Sequence, residues 1–122
     1  MWITILAAMA ALQTPTIGPV RPAQLSEART ALDERLFDLP SARFRDVRGN
    51  SLVLCGFVNA KNRMGAYAGW KRFAWITVND DPSLEVDGAG STSDIMLDAF
   101  CGEDGRKQIG PDLSDRMLPP NR

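Results

Sequence analysis

The sequence contains no histidine. That single absence removes Ser-His-Asp and Cys-His catalysis, and with it the commonest metal ligand. Cysteine is scarce too: there are two, Cys55 and Cys101, without the CxxC spacing of zinc and redox sites. No apolar run approaches the roughly 20 residues that span a bilayer. No glycine-rich loop of the P-loop or dinucleotide-binding type is present. Between residues 80 and 104 there is no basic side chain, although that stretch holds eight acidic ones.

What is present is ordinary globular material. The chain has 122 residues, 44% hydrophobic and 24% charged, which suits one domain. The net charge of −1 conceals an asymmetry, because residues 21–72 carry ten basic and five acidic groups. In a compact fold the basic block and the acidic block 80–104 are expected to complement each other or to form opposite faces. Nucleic-acid binding normally accompanies a net basic domain, so no nucleic-acid partner is expected.

Residues 2–12, WITILAAMAAL, form an uncharged run, apolar but for Thr4, and Ala8-Met9-Ala10 supplies a small-x-small pattern. This predicts a signal peptide over 1–11, hence a periplasmic or secreted protein with no stable membrane span after cleavage. The missing basic residues before the run leave a second reading, a buried N-terminal helix or strand. Residues 12–24, with Pro15, Pro19 and Pro22, read as a linker, and residues 25–104 as an α+β domain. In an oxidising compartment Cys55 and Cys101 are expected to bond, closing a loop of about 45 residues.

Ser26 offers an N-cap, and Leu25, Ala28, Leu32 and Leu36 recur at helical spacing until Pro40 stops the helix. ARFRDV reads as a short edge strand with Phe44 and Asp46 opposite Arg43, Arg45 and Val47. Residues 51–60, apolar on both faces, read as a central strand paired with residues 72–78. SLEV at 83–86 suggests a further strand, and Ser93 a cap for a helix ending at Gly102. The prediction is a helix on a three- to four-stranded antiparallel sheet, with a second short helix near the C-terminus. Residues 105–122, with Pro111, Pro119 and Pro120, are expected to form a flexible tail.

The most distinctive stretch is CGFVNAKNRMGAYAGWKRF, residues 55–73. Gly65 and Gly69 allow a tight turn, and Asn59 and Asn62 can bond backbone groups across it. Tyr67 and Trp70 are amphipathic aromatics of the kind enriched at interfaces, with Lys61, Arg63, Lys71 and Arg72 around them. Two readings stand side by side. Either residues Asn59, Lys61, Asn62, Arg63, Tyr67, Trp70 and Lys71 recognise an anionic or carbohydrate-like envelope ligand or an envelope protein, or Asn59, Asn62 and Tyr67 merely fix the hairpin. With SARFRDVR at 41–48, the stretch resembles a family of short exported bacterial proteins of unknown function. Their motif runs Cys-Gly-x-Val-Asn-Ala-Lys-Asn-x-x-Gly-x-Tyr-x-Gly. The resemblance covers about a third of the chain and implies a fold and a compartment, without an activity. Leu39-Pro40 stands where the family often has Asp-Pro, and Ala66 where a second glycine is common.

SLEVDGAGSTSD can be aligned with a calcium loop through Ser83, Glu85, Asp87 and Asp94, but it lacks the usual first Asp and last Glu. No metal or cofactor is expected. A carboxylate pair stays open as a catalytic device because acids are many, but nothing selects a pair. The leading expectation is a non-enzymatic binding or accessory module of the bacterial envelope. The alternatives are a periplasmic inhibitor of a cell-wall lytic enzyme, inserting the 61–70 loop into its cleft, and, behind it, a small hydrolase.

Overall fold

The computed structural model describes residues 17–78 and 81–117. The expected signal segment 1–11 and the first part of the linker lie outside the described residues. The elements are α1 (Pro22–Arg35), β1 (Asp38–Gly49), β2 (Val53–Lys61), β3 (Lys71–Ile76), β4 (Ser83–Val86) and α2 (Ser91–Cys101), followed by a 3-10 turn at Ser114–Arg116. The four strands form one antiparallel sheet in the order β1-β2-β3-β4. This is the α+β architecture expected.

Helix α1 starts four residues before Ser26, inside the expected linker. Pro22 occupies the first turn, where its missing N–H has no intrahelical role. The Gln24 side chain accepts the Arg21 backbone N–H at 2.8 Å and donates to the Asn50 carbonyl at 2.9 Å, tying the helix start to the β1–β2 turn. Leu25, Ala28 and Leu32 are buried on the sheet as their spacing implies. The helix closes at Arg35, well before Pro40, which lies within β1. An edge strand accepts proline because one side of its ladder is unpaired.

The faces of β1 also differ from a plain alternation. Asp46 has φ 51°, and the three-residue step from Arg45 to Arg48 opposes the two-residue step from Phe57 to Cys55. This bulge turns Val47 over, so Ala42, Phe44 and Val47 all reach the core while Arg43 and Arg45 stay exposed on the opposite face.

The sheet is packed on both sides. Leu25, Leu32, Leu54, Val58, Phe73 and Met117 belong to the α1-side core, where Phe44 and Phe73 meet edge to face at 5.9 Å. Alternation along β2 sends Val53 and Cys55 to the α2 side, against Ala74, Ile76 and Leu97. There Cys55 and Cys101 form the expected disulfide, with Cα atoms 5.7 Å apart.

Residues 105–117, expected to fray, are tied to the sheet by hydrogen bonds and buried at their two ends, Gly105 and Met117. Gly105 lies so close to Phe57 that a Cβ would fall 2.5 Å from its ring. The Leu113 N–H donates to Val47 O at 2.8 Å, the Val47 N–H to Asp112 Oδ1 at 3.2 Å, and Arg48 Nη1 to Gly110 O at 2.6 Å. Burial pushes the Asp112 carboxyl up, but hydrogen bonds from Ser114 and Val47 outweigh this and hold it below its ordinary value. Met117 is fully buried at the end of this strap. Through these bonds to Val47 and Arg48 the segment runs beside β1, covering part of an edge that would otherwise be open.

Candidate functional site

The 62–70 connection is a small hairpin of its own. The Asn62 N–H donates to Ala66 O at 2.8 Å, Ala68 donates to Ala60 O at 3.1 Å, and Lys61 bridges Tyr67. Asn62 Oδ1 accepts the N–H groups of Met64 and Ala66, at 2.9 and 3.2 Å, and Asn59 Oδ1 accepts that of Gly69 at 3.0 Å. Both asparagines therefore hold the turn, as the hairpin-fixing reading describes. Gly65 and Gly69 take φ values of 76° and 99°, in the left-handed region that side chains disfavour. The Tyr67 hydroxyl donates to Ser41 O at 3.1 Å, which fastens the loop to β1.

That fastening brings loop aromatics onto arginines of β1. The Arg43 guanidinium lies 4.3 Å from the Tyr67 ring centroid, and Lys61 Nζ lies 5.7 Å from the same ring. Arg45 lies 4.3 Å from Trp70 and 5.1 Å from Phe57, and Arg106 approaches Phe57 at 5.2 Å. Cations and rings thus alternate across one sheet face. Tyr67 and Trp70 keep 37% and 39% of their surface exposed.

The other residues proposed from sequence do not join this row. Arg63 stacks over Phe37 at 5.6 Å, beside the α1–β1 junction. Lys71 lines a groove of about 170 Å³ with Arg35, Leu36 and Phe37. Arg72, counted from sequence among the cations around the loop, is consumed by the acidic block. It contacts Asp87 through Nε and Nη2, at 3.0 and 2.7 Å, and Asp98 through Nη1 at 2.6 Å, and donates to Gly102 O at 3.0 Å. Burial pushes the Asp87 carboxyl up, but the Arg72 hydrogen bonds and charge outweigh it and hold the group below its ordinary value. The basic and acidic blocks complement each other at this point.

Arg43, Arg45, Lys61, Arg63 and Lys71 have no carboxylate within 4 Å among the described residues, where the ion pairs are those of Arg48, Arg72 and Arg106. The acids aligned with a calcium loop have other partners. Glu85 accepts from the Ser93 hydroxyl, Asp87 holds Arg72, and Asp94 Oδ1 accepts the Gly88 N–H. Compared with protein-family models, curated proteins and solved structures, the chain matches none.

Arg43, Arg45 and Arg106 are the site residues that sequence reasoning missed. Arg-Phe-Arg does place two cations on one strand face. The register that sets them beside Tyr67 and Trp70 is long-range, and no local pattern encodes it.

Proposed function

We propose that the chain is an exported binding or accessory module of the bacterial cell envelope, working through the 61–70 loop and the sheet face beside it. The observation that carries this reading is the pair of exposed stacks, Tyr67 on Arg43 and Trp70 on Arg45, each at 4.3 Å. Aromatic rings beside Arg43 and Arg45, which have no carboxylate within 4 Å among the described residues, suit an anionic or sugar-containing partner. Export is supported by the apolar run at 2–12, by the resemblance of 41–48 and 55–73 to short exported bacterial proteins, and by the disulfide, which persists in oxidising compartments. Among the described residues, no helix is long and apolar enough to cross a membrane.

A second reading is inhibition of a cell-wall lytic enzyme. It draws on Met64, 91% exposed at the loop tip beside Arg63, a protruding and partly cationic point that could enter an acidic cleft. Immobilised protein challenged with envelope extract separates the two. Enrichment of wall glycan on wild type but not on Tyr67→Ala or Trp70→Ala supports the binding module. Capture of a lytic enzyme whose activity falls on binding supports inhibition. Retention of neither contradicts both.

A further inference from the structure

Resting on that reading, we propose that Arg43 and Arg45 of β1 are an anion-binding pair that takes successive acid groups of a carboxylated glycan. In this arrangement Tyr67 and Trp70 act as positioning residues for the two guanidiniums. Arginine side chains on a surface normally sample many rotamers, and fixing them opposes binding. Here each guanidinium already rests on a ring at 4.3 Å, and Arg45 is approached by Phe57 as well. A guanidinium held by its face keeps its N–H edge for a ligand. That edge is the planar fork which grips a carboxylate through two parallel hydrogen bonds.

The strand sets the spacing. Arg43 and Arg45 are two residues apart, opposite Asn59 and Phe57 of β2, so they project from one face roughly 6.8 Å apart along the chain. The bulge begins after Arg45, which keeps this pair in register and diverts the next positions. Asp46, next to Arg45 in sequence, is engaged by Arg48 and Arg106, each at 3.4 Å, and Asp115, which lines a groove with Arg43 and Tyr67, makes no ion pair among the described residues. The surface is therefore complementary to a flexible chain bearing repeated oxoanions. Single-stranded nucleic acid is the poorer match, because its bases need open ring faces on which to stack. On Tyr67 both Arg43 and Lys61 already sit over the ring. A glycan carrying carboxylates needs only the forks, with its sugar rings lying against the exposed aromatic edges.

The test is a calorimetric titration of the disulfide-bonded protein with oligogalacturonate as the probe, beside its neutral methyl ester, oligo(dT) and poly-glutamate. The proposal expects the acid form to bind, more weakly as salt is raised, and the ester to bind at least tenfold less well. Arg43→Gln and Arg45→Gln should each weaken binding by about tenfold, the loss of a charged hydrogen-bonded contact. Arg45→Lys should fail to restore affinity, because it keeps the charge and loses the fork, while Arg35→Gln, exposed at the end of α1, should change little. Unaltered circular dichroism of these exposed variants establishes that they fold. If the acid and the ester bind alike and only Tyr67→Ala and Trp70→Ala abolish binding, the anion pair is wrong and the loop reading survives. If Arg45→Lys binds like wild type, the fork is wrong. If oligo(dT) or poly-glutamate binds as tightly as the glycan, the ligand class is wrong. If no saccharide binds at all, both the inference and the reading beneath it fall.

Discussion

Arg45 and Arg72 stand one strand apart from β2 on either side, and their surroundings make them opposites. Arg45 lies over two rings, Trp70 at 4.3 Å and Phe57 at 5.1 Å, and makes no ion pair among the described residues, so its charge is oriented without being neutralised. Arg72 is enclosed by Asp87, Asp98 and the Gly102 carbonyl, and its own proton is held more tightly for that reason. Its work is structural. Because the Asp87 carboxyl is held below its unfolded value, near 3.9, the stability it contributes is fully present above that pH. It is lost as pH falls through the lower folded value. Urea unfolding followed from pH 6 to pH 2 should show a decline beginning below about pH 4. Asp87→Asn should lower stability by about 1–3 kcal/mol at pH 6 and make the acid decline shallower. An equally steep decline in the variant would count against this assignment.

At the scale of elements, the parts that follow from periodicity lie where local pattern places them. The apolar β2 is buried on both faces, SLEV forms β4, and Leu25, Ala28 and Leu32 bury the face of α1. The departures come from contacts that local pattern does not contain. Helix α1 begins at Pro22 because Gln24 can bridge Arg21 and Asn50, and Asn50 is distant in sequence. Val47 changes face because of the backbone at Asp46, which a strict two-residue alternation misses. The segment 105–117 is polar and proline-containing and reads as a loose end, yet it delivers one large apolar side chain, Met117, into the α1-side core. Met117→Ala should therefore cost about 2–5 kcal/mol in denaturant unfolding, as for other fully buried large-to-small changes. A tail that merely frayed would make the substitution silent.

For the whole molecule, two restraints keep the cationic face together. The disulfide joins β2 to the end of α2 across 46 positions, which in the chain-entropy model stabilises the fold by about 4 kcal/mol. The strap after α2 brings Arg106 and Gly105 against Phe57, beneath the row of arginines and rings. Of the residues singled out from sequence, Asn59 and Asn62 shape the turn, Lys61, Tyr67 and Trp70 join the row, and Arg63 and Lys71 stand away from it. Half of the proposed site was therefore legible in one contiguous motif. The other half, Arg43 and Arg45, joins it through strand pairing. The most direct measurement of the central claim is amide and side-chain chemical-shift mapping of the oxidised protein with soluble peptidoglycan fragments. The account predicts shifts centred on Arg43, Arg45, Tyr67 and Trp70, with α1 and α2 unmoved. Saturating fragments that leave residues 43–45 and 59–70 unperturbed would contradict it.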